Sequence, residues 1–264
     1  MKILITGYKG FIGQNMVNSL KDDHKLSLYE WGEEPPKFEG LDWCIHLGAN
    51  SSTTERDVDA IMKQNYDFSC SVLMACQMNG VNLQYSSSAS VYGLNKDFHE
   101  DAPKSPQSPY AWTKYLFDRH VESQKFIGIC VQGFRYFNVY GPHEDHKVGQ
   151  SSPHHAFTKQ AAATGVIKLF EGSENYKRDF ISVHEVVDIH KQFFNVQESG
   201  IWNVGSGKPQ SFKHVAETIA EGTGARIEYI PMPENLKAQY QDYTCADLTK
   251  LKASLDASNS KRNI

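Results

Sequence analysis

The chain has 264 residues, of which 40% are hydrophobic and 12% are aromatic, so it can bury a full core and is not a disordered chain. Its 27 Lys and Arg residues are balanced by 31 Asp and Glu residues, for a net charge of -4. No long basic run is present, which argues against nucleic-acid binding. The apolar runs are too short for a transmembrane helix, and the first residues are typical of a strand rather than a signal peptide. Five scattered cysteines without CxxC spacing indicate reduced core residues, so we expect a cytoplasmic protein without a membrane partner.

Strands and helices alternate along the first half of the chain. Apolar runs predict strands at residues 2–6, 26–29, 42–47, 83–86 and within 127–137. Helical spacing of apolar residues predicts helices at 11–20, 58–79 and 109–125. This alternation is typical of an α/β protein with a Rossmann-type, doubly wound parallel sheet.

The pattern becomes less regular after about residue 138. Short strands are predicted at 167–170, 202–204 and 226–230, and a helix is predicted at 211–221. We therefore predict a Rossmann domain over 1–165, with some later segments packing back on it, and a small substrate-binding lobe over 166–252. Residues 253–264 form a polar tail, which we expect to be disordered.

Three glycines follow the first predicted strand and open the first predicted helix. Gly7, Gly10 and Gly13 form a G-x-x-G-x-x-G run, which alone is weak evidence because an ordinary turn has the same composition. In a strand–turn–helix context, glycines permit a tight turn and close approach of the backbone to a pyrophosphate, and the helix N-terminus supplies free N–H groups. The run therefore predicts a dinucleotide site.

Glu30 ends the second predicted strand, 17 residues after Gly13. A carboxylate there can accept hydrogen bonds from the ribose hydroxyls, which favours NAD over NADP. A solvated loop glutamate is the alternative, and Lys37 could instead meet a 2′-phosphate, so the sequence leaves NAD and NADP both open. Only about ten residues separate Glu30 from the next strand, too few for a crossover unit. We infer that one βα unit usual in this fold is missing.

A serine, a tyrosine and a lysine form the candidate catalytic group. Ser88 lies just past a predicted strand, and Tyr110 and Lys114 lie one helical turn apart on one helix face. A lysine ammonium beside a phenol is expected to lower the pKa of the phenol, which then serves as acid or base. The alternative is a surface tyrosine beside a solvated lysine. Together with the glycine run, these residues resemble the extended short-chain dehydrogenase/reductase superfamily, which implies a nicotinamide cofactor and usually a nucleotide-sugar substrate.

Motifs of the second half narrow the resemblance. They include GFRYFNVYGP at 133–142, EDHK at 144–147, LFEGSENYKRDF at 169–180, IEYIP at 227–231, LKAQYQ at 236–241 and ADLT at 246–249. Upstream, GANSSTTE at 48–55 agrees with them. The chain thus resembles the ADP-L-glycero-D-manno-heptose 6-epimerase family over residues 1 to about 252. That resemblance implies a homo-oligomer and a role in lipopolysaccharide core biosynthesis.

The resemblance also implies roles for individual residues. Tyr110 and a second base, Lys147, would face the sugar from two sides while its C6″ hydroxyl is transiently oxidised and re-reduced. The implied cofactor contacts, beyond the glycines and Glu30, are Phe11, Ile12, Leu47, Gly48, Ala49, Asn50, Ser51, Asn65, Lys114 and Val139. The implied substrate contacts are Asn138, Phe170, Glu171, Gly172, Ser173, Arg178 and Tyr240.

Several alternatives remain open at this stage. Lys147 could instead neutralise a phosphate or be solvated, and Arg178 could form an ion pair with Asp179 or Glu171. The family pattern is not followed at Val148, Gly149 and Ala156.

Other functions compete with a heptose epimerase. A UDP-hexose 4-epimerase would use Ser88, Tyr110 and Lys114 but would not require Lys147. Another nucleotide-sugar epimerase or reductase is a further alternative. A 4,6-dehydratase is disfavoured because Ala89 and Ser90 replace its acid pair. A catalytically idle NAD(P)-binding protein is a competitor from another class. We expect no metal site, because the histidines at 143, 146, 154 and 155 lack a carboxylate or cysteine frame.

Overall fold

We describe the protein from a computed structural model, which describes residues 1–52, 55, 57–145, 147, 150–234 and 241–262. For residues 261 and 262 it describes the backbone alone. The strands are β1 Lys2–Thr6, β2 Lys25–Tyr29, β3 Trp43–His46, β4 Asn82–Ser88, β5 Val131–Tyr136, β6 Asn138–Tyr140, β7 Val166–Phe170, β8 Lys177–Arg178, β9 Phe180–Ser182, β10 Gly200–Val204, β11 Gln210–Ser211 and β12 Arg226–Ile230. The helices are α1 Phe11–Leu20, α2 Val58–Met62, α3 Phe68–Asn79, α4 Pro109–Glu122, α5 Pro153–Thr164, α6 Val183–Phe193, α7 Phe212–Thr223 and α8 Thr249–Arg262.

The main sheet has six strands in the order β10-β5-β4-β3-β1-β2, and every pairing is parallel. This arrangement confirms the predicted Rossmann-type doubly wound sheet. Strand β3 is buried at all four positions, as expected for a parallel strand covered on both faces. No helix or strand lies between Tyr29 and Trp43, a segment that is described throughout. Strand β2 is therefore the outer edge of the sheet.

A smaller assembly follows strand β5. It contains three two-stranded sheets, which pair β6 with β9, β7 with β12 and β8 with β11. Helices α5 and α7 pack on these strands through a hydrophobic cluster that includes Phe157, Ile167, Leu169, Phe180 and Val215. Strand β10 pairs with β5 in the main sheet, and helix α6 packs against α1. Within the described residues, no helix combines the length and apolar character needed to cross a bilayer.

The polar tail is helical, and the expectation of disorder at 253–264 is wrong for the part that the structure describes. Helix α8 carries Leu251 into the core, and Leu255 packs beside the same cluster. Ser254 accepts a hydrogen bond from Trp202 Nε1 at 3.1 Å, and Ser258 donates to the Asn195 carbonyl at 3.0 Å. These hydrogen bonds hold a helix whose composition is too polar to indicate burial.

The predicted helix at 58–79 is continuous but not uniform. A π-helical turn at Lys63–Asp67 joins α2 to α3. Such turns are rare and occur most often at functional sites. This one places Asn65 on the buried side of the helix, with its side chain 1% exposed.

Candidate active site

The glycine run forms a closely packed turn between β1 and α1. Gly7 has a φ of +73°, and a Cβ there would lie 2.5 Å from the Cα of Gly48. A Cβ on Gly13 would lie 2.0 Å from the Gly7 carbonyl oxygen. Helix α1 begins after Gly10 with no side chain capping it. The first turn therefore presents backbone N–H groups and the positive end of the helix dipole to an anion, which fits the pyrophosphate of a dinucleotide.

A cleft of about 700 Å³ lies at the carboxyl ends of the main-sheet strands. Ligands of open parallel sheets bind at this edge. The cleft brings together the predicted residues Gly7, Gly10, Phe11, Ile12, Gly13, Glu30, Leu47, Ala49, Asn50, Ser51, Ser88, Tyr110, Lys114, Val139 and Lys147. Residues that are far apart in the sequence thus line one concave surface.

Ser88, Tyr110 and Lys114 lie together in this cleft. Ser88 ends β4, and Ser108 caps helix α4, which holds Tyr110 and Lys114 one turn apart. The Ser88 hydroxyl lies close enough to the Tyr110 phenol to lower its pKa. The Lys114 ammonium donates to the Ser86 carbonyl at 2.9 Å and lies 5.9 Å from the centroid of the Tyr110 ring.

The pKa values of these groups differ from our expectation. Burial raises the pKa of the Tyr110 phenol, while the Ser88 hydroxyl lowers it by a smaller amount. Burial also lowers the pKa of Lys114 to about 8, against the opposing influence of Asp118. The expected lowering of the tyrosine pKa is therefore wrong, because burial of the ring has the larger effect and the Lys114 ammonium donates to the Ser86 carbonyl. Tyr110 keeps its proton at neutral pH.

Lys147 reaches the same cleft from the loop before α5. Its backbone N–H donates to the Glu144 carbonyl at 2.9 Å, and its ammonium lies 4.6 Å from the centroid of the Phe11 ring. Burial lowers the pKa of the Lys147 ammonium, whereas Glu144 acts in the opposite direction. A lysine with a lowered pKa can accept a proton near neutral pH. Val148 and Gly149, where the chain departs from the family pattern, lie outside the described residues.

Glu30 lies at the far end of the cleft. It accepts a hydrogen bond from the Lys9 N–H at 3.1 Å, and its own N–H donates to Glu33 at 2.8 Å. Next to it is a smaller cavity of about 170 Å³, which Gly48 and two aromatic residues, Trp31 and Phe68, help to line. Lys37 is exposed and does not line either space.

Asn65 lies behind the cleft rather than in it. Its side-chain oxygen accepts from the Asn50 N–H at 2.7 Å, and its Nδ2 donates to the Asn50 carbonyl at 2.9 Å. The same Nδ2 also donates to Thr113 at 3.2 Å. The π-helical turn thus ties the loop after β3 to the helix that carries Tyr110.

The predicted substrate residues that the structure describes do not line the main cleft. Phe170 and Ser173 line a separate cavity of about 510 Å³ between α5 and β7, where Ala156 also lies. The Ser173 hydroxyl is buried without a hydrogen-bond partner among the described residues. Gly172 has a φ of +76° and Glu171 is exposed, both in the turn after β7.

Three further residues complete this set. Asn138 precedes the cleft residue Val139 and donates its N–H to the Asp179 carbonyl at 3.0 Å. Arg178 donates to the carbonyls of Lys177 and Gln241 and lies 5.5 Å from the centroid of the Phe212 ring. Tyr240 lies outside the described residues.

The cleft also contains residues that the sequence analysis did not select. They are Lys9, Ser52, Ser86, Ser87, Tyr136, Phe137 and Gln150. Tyr136 and Ser86 lie near the carboxyl ends of predicted parallel strands, a position that could have identified them.

Comparison with known proteins defines the class. Residues 31–205, more than half of the chain, match the NAD dependent epimerase/dehydratase family. The chain therefore belongs to that family, and its cofactor is of the NAD type. The family and its structural neighbours support an NAD-dependent epimerase, as the sequence predicted.

Solved structures resemble the whole fold. The ADP-L-glycero-D-manno-heptose-6-epimerase of Helicobacter pylori is 26% identical, with a TM-score of 0.86 over 97% of this chain and 90% of that one. The UDP-glucose 4-epimerase of Thermus thermophilus, solved with NAD, is 25% identical, with a TM-score of 0.79 over 96% and 92%. A UDP-N-acetylglucosamine 4-epimerase of Methanobrevibacter ruminantium is 22% identical, with a TM-score of 0.86 over 96% and 91%, and supports the fold alone.

Proposed function

We propose that this protein interconverts ADP-D-glycero-D-manno-heptose and ADP-L-glycero-D-manno-heptose at C6″. The observation that carries the proposal is the position of Lys147, which lines the same cleft as Tyr110. Inversion of a carbinol requires a proton-transfer group for each epimer, and these two residues provide a pair. The 26% identity to the Helicobacter pylori enzyme supports the same substrate class.

Tyr110 and Ser88 form one side of the proposed reaction. Tyr110 keeps its proton because burial raises its pKa, so it is the acid that protonates the ketone oxygen during re-reduction. Ser88, which lines the cleft beside Tyr110, orients that oxygen. Lys114 holds its ammonium against Ser86 in the floor of the cleft and supplies positive charge beside the phenol as it loses its proton.

Lys147 forms the other side. Its lowered pKa increases the neutral fraction, which takes the proton of the sugar hydroxyl during oxidation. The chemistry that the nicotinamide supplies when bound is reversible hydride transfer. In the reverse direction the two residues exchange roles. The sugar must present both faces of the transient ketone within one cleft.

The cavity between α5 and β7 is the proposed place for the nucleotide of the substrate. Its volume of about 510 Å³ suits a base, and its wall includes the aromatic residues Phe170 and Tyr176. The buried Ser173 hydroxyl offers a donor and an acceptor there. Glu30, facing the cofactor end of the main cleft, favours NAD over NADP.

We also propose that the protein acts in the cytoplasm as a homo-oligomer. Helix α4 exposes Trp112 and Leu116, which lie one turn apart and are 47% and 37% exposed. Their burial against a second copy would cover this apolar strip.

Proton NMR of the purified protein with ADP-D-glycero-D-manno-heptose and NAD⁺ tests the reaction. We expect the L-glycero epimer to appear, and the rate to fall at least 100-fold in Tyr110→Phe and in Lys147→Met. Lys159→Met is the matched control, because Lys159 is 59% exposed and pairs with Asp145 at 2.6 Å outside the cleft. It should retain wild-type turnover.

Two outcomes would overturn the proposal. Conversion of UDP-glucose to UDP-galactose, unaffected by Lys147→Met, would reassign the protein to the UDP-hexose 4-epimerases. Binding of NAD⁺ without turnover of either sugar would identify a catalytically idle cofactor-binding protein.

A further inference from the structure

A chain of buried polar side chains runs from the back of the cleft into the main sheet. The Tyr136 hydroxyl lies 2.5 Å from His190 Nε2, and His190 Nδ1 lies 2.8 Å from Gln84 Oε1. Gln84 Nε2 in turn lies 3.0 Å from Gln132 Oε1. His190, Gln84 and Gln132 are fully buried, whereas Tyr136 also lines the cleft. The proposed reaction uses none of these four side chains.

Backbone carbonyls fix the direction of every hydrogen bond in this chain. Gln132 Nε2 lies 2.7 Å from the Val196 carbonyl oxygen, which can only accept, so that end of the amide is the donor. The Gln132 oxygen therefore faces Gln84 and accepts from its Nε2, which also donates to the His190 carbonyl at 3.1 Å. The Gln84 oxygen is left facing His190 Nδ1, so Nδ1 carries the proton.

The hydrogen bond between Tyr136 and His190 then has one possible direction. Burial lowers the pKa of His190 to about 3, so the ring is neutral and its Nε2 has a lone pair. Tyr136 consequently donates its only O–H to His190, away from the cleft. Towards the cleft, its oxygen can only accept. Two phenols line the cleft among the described residues, those of Tyr110 and Tyr136, and of these two it is Tyr110 that can donate into the cleft.

We propose that His190 is a positioning residue that holds Tyr136 as a hydrogen-bond acceptor for an N–H or O–H group bound beside Tyr110. The amide of the nicotinamide carboxamide is one source of such a donor, and a sugar hydroxyl is the other. The arrangement also prevents Tyr136 from competing with Tyr110 as a proton donor. The identity of the donor rests on the proposed function, whereas the state of His190 does not.

Nitrogen-15 NMR of the histidine-labelled full-length protein tests the first step. We expect His190 to be neutral and protonated at Nδ1, with its signal assigned by its loss in His190→Gln. Tyr136→Phe should leave that tautomer unchanged, because Gln84 sets it. A proton on Nε2, or a charged ring at pH 7, would overturn the proposal whether or not the protein epimerises a sugar.

Binding of NAD⁺ and of its 3-acetylpyridine analogue, which lacks the amide N–H, tests the second step by calorimetry. If the carboxamide is the donor, wild-type protein binds NAD⁺ about five- to tenfold more tightly than the analogue, and Tyr136→Phe reduces the ratio to near one. If the sugar is the donor, the ratio is unchanged and Tyr136→Phe instead weakens binding of the nucleotide-sugar by a similar factor. No change in either affinity would refute the acceptor role. Tyr92→Phe, which removes a buried phenol hydrogen-bonded to Asn203 outside the cleft, is the matched control and should behave as wild type.

Discussion

A buried ion pair between helix α4 and strand β5 provides a quantitative test of the packing. Arg135 Nε donates to Asp118 at 2.8 Å, and the two side chains are 2% and 0% exposed. Asp118 also accepts from the hydroxyls of Tyr85 at 3.1 Å and Ser87 at 2.9 Å. Replacement of Asp118 by leucine removes all three interactions and leaves the guanidinium buried without this carboxylate.

The expected cost of Asp118→Leu is about 3–5 kcal/mol in the free energy of unfolding, because the buried guanidinium loses its closest carboxylate and retains the weaker pair with Glu122, which is 3.8 Å away and 36% exposed. With a urea slope of about 3 kcal/mol/M, the unfolding midpoint should fall by about 1 M or more. The double variant Asp118→Leu with Arg135→Met should cost at least about 2 kcal/mol less than the sum of the two single variants. Circular dichroism during urea titration measures these differences.

A surface pair on the same helix is the control. Arg119 and Glu122 lie 2.7 Å apart but are 60% and 36% exposed, so Arg119→Met should cost less than about 1 kcal/mol. Additive effects of the two buried substitutions, or a cost of Asp118→Leu no larger than that of Arg119→Met, would refute the reasoning.

Three further predictions concern stability and cofactor binding. Gly13→Ala should abolish NAD⁺ binding in calorimetry, because its Cβ would lie 2.0 Å from the Gly7 carbonyl oxygen. Gly222→Ala is the control: Gly222 lies within α7 with open space around its Cβ position, so this substitution should stabilise the protein by about 0.5–1 kcal/mol. Asp179→Ala should lower the free energy of unfolding by about 3 kcal/mol, since this buried carboxylate accepts four hydrogen bonds, from the N–H groups of 206, 207 and 246 and the hydroxyl of 206. The folded-state pKa of Lys114, lowered from 10.5 to about 8, means that the unfolded chain binds more protons between those values, so wild-type stability should rise with pH from 8 to 10.5. Lys114→Met should therefore be more stable than wild type at pH 7 by up to about 3 kcal/mol, and the difference should shrink above pH 8 in urea titrations at each pH.

Local patterns were sufficient for the cofactor half of the fold. The run from Lys2 to Leu20 encodes strand, turn and helix through its own apolar spacing and its glycines, and the structure reproduces those bounds. The short interval between Glu30 and the next strand likewise predicted that no further strand and helix fit there. Such features depend on neighbours in sequence, so they can be recognised without the tertiary structure.

Long-range contacts set the features that the sequence did not predict. The sequence assigns Ser254 to a polar tail, whereas in the fold it accepts a hydrogen bond from Trp202 of the main sheet. The Tyr110 pKa depends on how deeply the folded cleft buries the ring, which residue spacing does not encode. The chain from Tyr136 to His190 joins positions 54 residues apart, and no local pattern links them.

Because strand β2 lies at the edge of the main sheet, further structure can be added on that side. A strand at an edge shares one ladder of hydrogen bonds with the rest of the sheet, whereas an internal strand shares two. Residues 30–42 can therefore accept a grafted strand and helix without breaking an existing pairing, and each doubling of loop length costs only about 0.6 kcal/mol. The residues proposed for catalysis, Ser88, Tyr110 and Lys114, lie on β4 and α4, and strands β1 and β3 separate β4 from β2. The structure at this edge of the sheet can thus change without moving the residues that are proposed for catalysis.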